Sequence, residues 1–126
     1  MLLKYIIMFT VLLLVVSAIG LLFFPSKMLA VVGIVSNDQM DFLLRASGVG
    51  VASLIPSAWA SRTSTTSQVS RAVLMGLVVY MLLSSIVDFQ AYTQSIVNGV
   101  SIPSMAFRVL LGIAILILTF KNTAKN

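Results

Sequence analysis

The sequence lacks cysteine, histidine and glutamate, and these absences remove most of the side chains that carry enzyme chemistry. Without cysteine or histidine, the chain cannot form a disulfide, a thiol redox centre, a His-ligated haem or the common zinc and copper sites. Histidine is also the usual general base in catalysis. The only side-chain carboxylates are those of Asp38, Asp41 and Asp88. We therefore assign no catalytic residue, no metal site and no cofactor.

Charged residues are also scarce, at 9% of the 126-residue chain, while hydrophobic residues make up 60%. A soluble domain carries about 25% charged residues, which give its surface groups that water can solvate. This chain has too few, so we expect its surface to face the hydrocarbon of a bilayer. The net charge of +5 comes from basic residues that are scattered singly. Without a basic cluster to hold phosphates, we predict no nucleic-acid binding.

Four apolar runs are long enough to cross a membrane, and they predict transmembrane helices over residues 5–24, 42–60, 69–92 and 103–120. At 1.5 Å per residue, about 20 residues span a hydrocarbon core of ~30 Å. We predict an all-α fold, in which a single domain over residues 1–126 forms an integral-membrane, up-down four-helix bundle. A cleaved signal peptide is the alternative for the first run, although no A-x-A cleavage pattern follows it.

The connector after the first run contains an apolar stretch, residues 28–35, that is too short to span a bilayer. We expect this stretch to lie at the membrane interface or to pack on the bundle. The next four residues fit a capping box, in which the Ser36 side chain accepts a hydrogen bond from the Gln39 N–H at the start of the second helix. Ser67 fits the N-cap position of the third helix.

The second run holds small residues in two pairs with a spacing of four: Ala46 with Gly50, and Gly48 with Ala52. Small residues at this spacing let a neighbouring helix backbone approach closely. Packing between helices of the same bundle is one interpretation, and a dimer interface is the other. Pro56 in the same run predicts a kink near its end.

Basic residues mark the side of the membrane that we expect to be cytoplasmic. With four spans, both termini and the 61–68 loop lie on one side. That side holds most of the positive charge: Lys4, Arg62, Arg71, Lys121 and Lys125. The opposite loops hold Lys27 together with two aspartates. We predict a multi-pass protein of the plasma membrane, which is the inner membrane in a bacterium, with its N- and C-termini in the cytoplasm.

Three charged residues fall inside the predicted spans: Arg45, Asp88 and Arg108. Each lies four or five residues from the outer end of its run, which places all three about 6–8 Å below the outer boundary. A lone charge deep in hydrocarbon costs ~2.5–3.5 kcal/mol on insertion scales. Because a carboxylate between two guanidiniums offsets that cost, we predict a network around Asp88. Asp41, one turn before Arg45, is a further partner.

Tyr80, Ser84 and Ser85 lie on roughly the same helical face as Asp88, and they extend the charged group into a candidate polar pocket. In one interpretation the charges form a structural ion pair, and the arginine heads snorkel to interfacial water. In the other they bind a ligand, because intramembrane charge marks a functional site by default. That ligand would be a small anionic or amphipathic molecule that presents a lipid phosphate or a carboxylate.

Several features follow one another in a fixed order along the chain. The first run ends in Phe24-Pro25, the second carries Leu-Arg-Ala-Ser-Gly at positions 44–48, and the third opens with Arg71 and carries Asp88. This order resembles the small bacterial four-helix membrane proteins grouped as DoxX-like, many of unknown function. The resemblance implies a four-helix membrane protein and carries no activity onto any residue. Small multidrug transporters share the size, but their first span holds a glutamate that this chain lacks.

The sequence supports three functional hypotheses. The first is a non-enzymatic membrane subunit or accessory protein that packs with itself, as a homo-oligomer, or with another membrane protein. The second is a binder or carrier of a small amphipathic or anionic ligand at Arg45, Asp88 and Arg108. The third is a membrane enzyme acting on a lipid-like substrate, for which Asp88 is the one carboxylate well inside a span.

Overall fold

The computed structural model describes residues 1–64 and 66–123, apart from the side chains of residues 122 and 123, and this part of the chain is helical with no strand. The five helices are α1 (Leu2–Phe23), α2 (Pro25–Val31), α3 (Asp38–Ser61), α4 (Gln68–Thr93) and α5 (Ser101–Thr123). Four of them, α1, α3, α4 and α5, are long and apolar enough to cross a membrane. The predicted all-α fold is confirmed, and the chain is a multi-pass membrane protein.

The long helices begin and end within four residues of the predicted spans. The predicted capping box at the start of the second span is wrong by one residue. Asn37, in extended conformation, is the N-cap of α3, and its Oδ1 accepts a hydrogen bond from the Met40 N–H at 2.8 Å. Asparagine caps a helix as well as serine does, so the cap forms at the residue that directly precedes the first turn of α3, which is Asn37. The predicted cap at Ser67 is confirmed, whereas Lys125 lies outside the described residues.

The connector between α1 and α3 is pinned to the loop between α4 and α5. Pro25 ends α1 and supplies the first residue of α2, where its missing N–H is not needed. Gly33 then turns the chain with a φ of 83°, a left-handed conformation that glycine adopts without strain. The Asn98 N–H donates to the Val32 carbonyl at 2.9 Å, and Asn98 Nδ2 donates to the Val31 carbonyl at 3.1 Å.

The four long helices form a closed ring in the described part of the chain. α1 packs against α3 and α5, and α4 also packs against α3 and α5. The pairs α1–α4 and α3–α5 have no Cα atoms within 8 Å of each other and are therefore diagonal. The short helix α2 packs on α1 and α3. This arrangement limits which side chains can meet, because the backbones of α3 and α5 are not neighbours in the ring.

The core is built mainly from aliphatic side chains of the four long helices. Its largest fully buried members are Leu3, Ile7, Thr10, Leu74, Leu77 and Ile115. The rings of Phe9 and Phe107 meet edge to face, with centroids 5.9 Å apart, and so join α1 to α5. Many other large apolar side chains are exposed, among them Phe23, Val79 and Leu110. Such a surface is stable in lipid and would aggregate in water.

The surroundings of Gly48 and Gly50 predict that replacement by alanine has different effects on the stability of the protein at the two positions. A Cβ at position 48 would lie 3.0 Å from Leu21 Cβ and from Leu22 Cγ, so α1 would have to move away from α3. A Cβ at position 50 meets nothing within 4 Å. We expect Gly48→Ala to be about 1–3 kcal/mol less stable than Gly50→Ala, the usual cost of overpacking. Thermal unfolding of both variants in one detergent checks this, and equal midpoints would contradict it.

Replacement of Thr10 by valine should stabilise the protein. The Thr10 side chain is fully buried, and its Oγ1 has no hydrogen-bond partner in the described part of the chain. A buried polar group without a partner costs about 1–3 kcal/mol, and valine has nearly the same shape without the hydroxyl. Thr119→Val is the matched control, because the buried Thr119 Oγ1 donates to the Ile115 carbonyl at 2.7 Å. A Thr10→Val midpoint below that of the wild type would refute the expectation.

Candidate functional site

An ion pair joins α4 to α5. Arg108 Nη2 lies 2.9 Å from Asp88 Oδ2, and each side chain is 33% exposed. The same Nη2 donates to Ser104 Oγ at 3.1 Å, one turn earlier on α5. Two acceptors therefore fix the Arg108 head, and the carboxylate of Asp88 is engaged by a cation. A carboxylate that is paired with a guanidinium is a weaker proton acceptor than a free one.

Arg45 stands apart from this pair. Its side chain is exposed, and no hydrogen bond or ion pair joins it to any residue that the structure describes. It belongs to α3, which does not contact α5, the helix that carries Arg108. Asp41, one turn before Arg45, does not pair with it, and Asp41 Oδ1 is shielded from solvent without a partner. The structure brings two of the three predicted charges together and leaves the third free.

Tyr80, Ser84 and Ser85 lie along the same helix as Asp88, but their polar atoms contribute unequally to the candidate site. The half-buried Tyr80 is close enough to Asp88 and Arg108 to interact with both charges. Both serine hydroxyls donate to the Met81 carbonyl, at 3.1 Å from Ser84 and 2.8 Å from Ser85. The serines are thus satisfied within α4 and do not form a polar pocket of their own.

An apolar groove of about 480 Å³ runs between α4 and α5, and it is lined by Phe89 and Val109, the chain neighbours of Asp88 and Arg108. Ser85 is its one polar lining residue, and Ser85 and Met105 are buried at its floor. Its other lining residues are apolar: Leu82, Ile86, Phe89, Ile102, Ala106 and Val109. A second depression, of about 420 Å³, lies at the connector beside Gly33, Tyr92 and Asn98. Neither cavity reaches both Arg45 and the ion pair.

The small residues of α3 divide between two opposite faces. Gly48 is buried against Leu21 and Leu22 of α1, and Ala52 packs on the same core. Ala46 and Gly50 face away from the rest of the chain and are exposed. We call the exposed set Ala46, Ser47, Gly50 and Ser53 the open face of α3. Its two hydroxyls donate to carbonyls of α3 itself, so the face is small and carries no unsatisfied hydroxyl.

Arg62 and Arg71, two of the basic residues that mark the predicted cytoplasmic side, have unusual surroundings. The Arg62 guanidinium carbon lies 3.5 Å from the centre of the Trp59 ring, a stacked cation–π contact. The Nε atoms of Arg62 and Arg71 are both shielded from solvent and have no hydrogen-bond partner among the residues that the structure describes. The spacing of three between Trp59 and Arg62 at the end of a predicted helix is the signal that indicates such stacking.

The described residues contain no group of three or more acidic side chains that could hold a metal ion. In comparisons with known proteins, no family model, no curated protein and no solved structure matches the chain. The resemblance to DoxX-like proteins therefore stays a prediction. The function has to be argued from the ion pair, the free Arg45, the groove and the open face of α3.

The ion pair predicts non-additive effects of Asp88→Asn and Arg108→Gln on stability. Both side chains are a third exposed, so solvent screens the pair, and we expect an interaction energy of only about 0.5–1 kcal/mol. The measurement is a double-mutant cycle on the free energy of unfolding in one detergent. Asp88→Asn combined with Arg45→Gln is the control, because Arg45 has no contact with Asp88. Additive losses in the first cycle would show that the pair contributes nothing.

Proposed function

We propose that this protein is a non-enzymatic integral-membrane subunit that associates with a second copy of itself through the open face of α3. The observation that supports this proposal is a mismatch between polarity and burial. α3 has the lowest mean hydropathy of the four spans, 1.2 against 2.1 to 2.9. It is also the least buried, at 17% of its most apolar window against 22% to 28%. This span gains less from contact with lipid than the other three do, and a covering partner removes its small polar residues from the hydrocarbon.

The shape of the open face suits a second helix. Gly50 has no atom within 4 Å of the position that a Cβ would take. Ala46 lies one turn away, so the two residues form a shallow strip along which another backbone approaches closely. In membranes, association of this kind depends on van der Waals packing, because lipid is as apolar as leucine. The strip offers that packing without any rearrangement of the ring.

The charges of α3 favour a copy of the same chain over an unrelated helix. Arg45 has no partner among the described residues, and Asp41 and Asp38 lie one and two turns before it on the same helix. At 100° per residue, Arg45 and Asp38 lie on the flank of the open face, so in a two-fold dimer each Arg45 can approach Asp38 of the partner subunit. Each Arg45 then gains an acidic partner that the described residues of its own chain do not supply.

The remaining features take structural roles in this proposal. The Asp88–Arg108 pair is an intramembrane tie that holds α5 against α4. We place the termini and the loop between α3 and α4 in the cytoplasm of a plasma membrane, since positive charge is concentrated there. A DoxX-like membership is consistent with such a subunit. Enzyme chemistry receives no support from Asp88, because its carboxylate is engaged by Arg108.

A ligand-binding function is the second candidate, and the groove between α4 and α5 favours it. A groove of about 480 Å³ that is apolar except for Ser85 suits the hydrocarbon part of an amphipathic molecule. The neighbouring Arg108 would meet an anionic head, at the expense of its contact with Asp88. Native mass spectrometry of the protein released from nanodiscs separates the two candidates. A retained small molecule that is lost in Arg108→Gln favours the binder, and a bare dimer favours the subunit.

Gly50→Leu should dissociate the proposed dimer. A leucine at the centre of the open face keeps the two α3 helices apart, and we expect the dimer dissociation constant to rise at least about tenfold, or 1.4 kcal/mol. The measurement is the monomer–dimer ratio in nanodiscs or mild detergent, by native mass spectrometry or by light scattering. Gly76→Leu is the matched control, because Gly76 on α4 is equally exposed and also has nothing within 4 Å.

Two results would contradict self-association through α3. One is a wild-type protein that stays monomeric at every protein-to-lipid ratio. The other is equal weakening of the dimer by Gly50→Leu and Gly76→Leu, which would place the interface elsewhere. Arg45→Gln gives an independent reading, because it should weaken the dimer without any change in helix packing.

A further inference from the structure

Two arginines flank the loop that joins α3 to α4, and neither has a hydrogen-bond or ion-pair partner among residues 1–64 and 66–123. Arg62 is the C-cap residue of α3, and Arg71 lies in the first turn of α4. Both guanidiniums keep a shielded Nε without an acceptor. Groups of this kind are normally hydrogen-bonded in folded proteins. An acceptor from outside the chain would reach these guanidiniums through their Nη atoms, which are not among the shielded atoms, and would stabilise this end of the molecule.

The carboxylates of the chain are too far away to compensate these charges. Asp41 lies 21 residues before Arg62 on α3, and Asp88 lies 17 residues after Arg71 on α4. At 1.5 Å per residue these separations are about 32 Å and 26 Å along the helices. Charges interact in solution over about 8 Å at physiological ionic strength. The two arginines thus form a local excess of positive charge.

Arg62 is held in a defined position by its stacking on Trp59, with 3.5 Å between the guanidinium carbon and the ring centre. An arginine that lies flat on an indole keeps the edge of its guanidinium available for oxygen ligands. The Trp59 ring is 44% exposed, and tryptophan at the end of a membrane span favours the level of the lipid headgroups. The stacked pair therefore presents a cation at the depth where phospholipid phosphates lie.

Arg71 is placed where a cation is electrostatically unfavourable. The start of a helix carries a partial positive charge, and an anion stabilises it. The first turn of α4 contains no acidic residue, and the N-cap Ser67 satisfies only the Ser70 N–H. Arg71 and the helix start therefore repel each other unless an anion lies between or beside them. The stacked Arg62 adds to the same positive field from the other side of the loop.

We infer that Arg62 and Arg71 form a binding site for the phosphate headgroup of an anionic phospholipid, with phosphatidylglycerol as the simplest representative. Phosphate oxygens accept several N–H bonds from guanidinium groups, and their charge compensates both arginines and the start of α4. The acyl chains of the lipid run along the exposed apolar side chains of the spans. This site is distinct from Asp88–Arg108, and it does not depend on whether α3 forms a dimer.

The test is native mass spectrometry of the protein ejected from nanodiscs that contain equal parts of phosphatidylcholine and phosphatidylglycerol. The wild-type protein should retain phosphatidylglycerol in preference to phosphatidylcholine. We expect the double variant Arg62→Gln/Arg71→Gln to retain about tenfold less phosphatidylglycerol, because two headgroup contacts are lost. The matched control is Lys27→Gln/Arg45→Gln, which removes the same net charge from two exposed cations at the opposite end of the spans and should retain the lipid.

A second readout uses the single tryptophan of the chain and requires no substitution. Because Trp59 stacks on Arg62, its fluorescence should change when phosphatidylglycerol is titrated into the detergent-solubilised protein, and it should not change with phosphatidylcholine. This readout decides the matter if the double arginine variant loses its helical circular dichroism.

Four results would overturn the site. They are equal retention of the two lipids, an equal loss of phosphatidylglycerol in the two double variants, a Trp59 signal that ignores phosphatidylglycerol, and displacement of the lipid by inorganic phosphate at equal concentration. The last result would assign the arginines to a free anion in place of a lipid.

Discussion

The constraint on which the structure depends is that a chain in hydrocarbon must satisfy its own polar groups. The backbone does so by forming five helices and capping two of them with Asn37 and Ser67. Many hydroxyls inside the spans follow the same rule by donating to carbonyls of their own helix, as Ser47, Ser53 and Ser85 do, whereas Thr10 Oγ1 finds no acceptor among the described residues. A sequence rich in serine and threonine is therefore compatible with a membrane, and its hydroxyls reveal little about ligands.

Charged groups cannot be satisfied by the backbone ladder in this way, and the chain treats them in three different manners. Asp88 and Arg108 neutralise each other across the α4–α5 contact. Arg62 is stacked on an aromatic ring at the end of α3. Arg45 is left exposed with no partner among the described residues. The proposals rest on the cations that the chain does not compensate, because an uncompensated charge within or beside a membrane implies a counter-ion from outside the chain.

The sequence predicts the spans well because each is a long apolar run bounded by polar residues or proline. It does not predict which charges meet. Arg45 and Arg108 have the same predicted depth, but depth says nothing about the angular position of a residue in the ring. α4 packs against both α3 and α5, and Asp88 lies on the side of α4 that meets Arg108 of α5. The Trp59–Arg62 contact was accessible in principle, since residues three apart on a helix are neighbours.

The two small-residue pairs of α3 show that one sequence pattern can serve both packing within the bundle and an external interface. Residues that are two apart on a helix point about 200° away from each other, so Gly48 and Gly50 lie on opposite faces. Only one of them can pack against α1, and the contact with Leu21 and Leu22 selects Gly48. Packing within the bundle and an external interface are therefore compatible on the same helix. The face that α1 leaves open belongs to the least apolar span, and it lies beside a cation without a partner. A helix with these properties gains more from a covering protein surface than from contact with lipid.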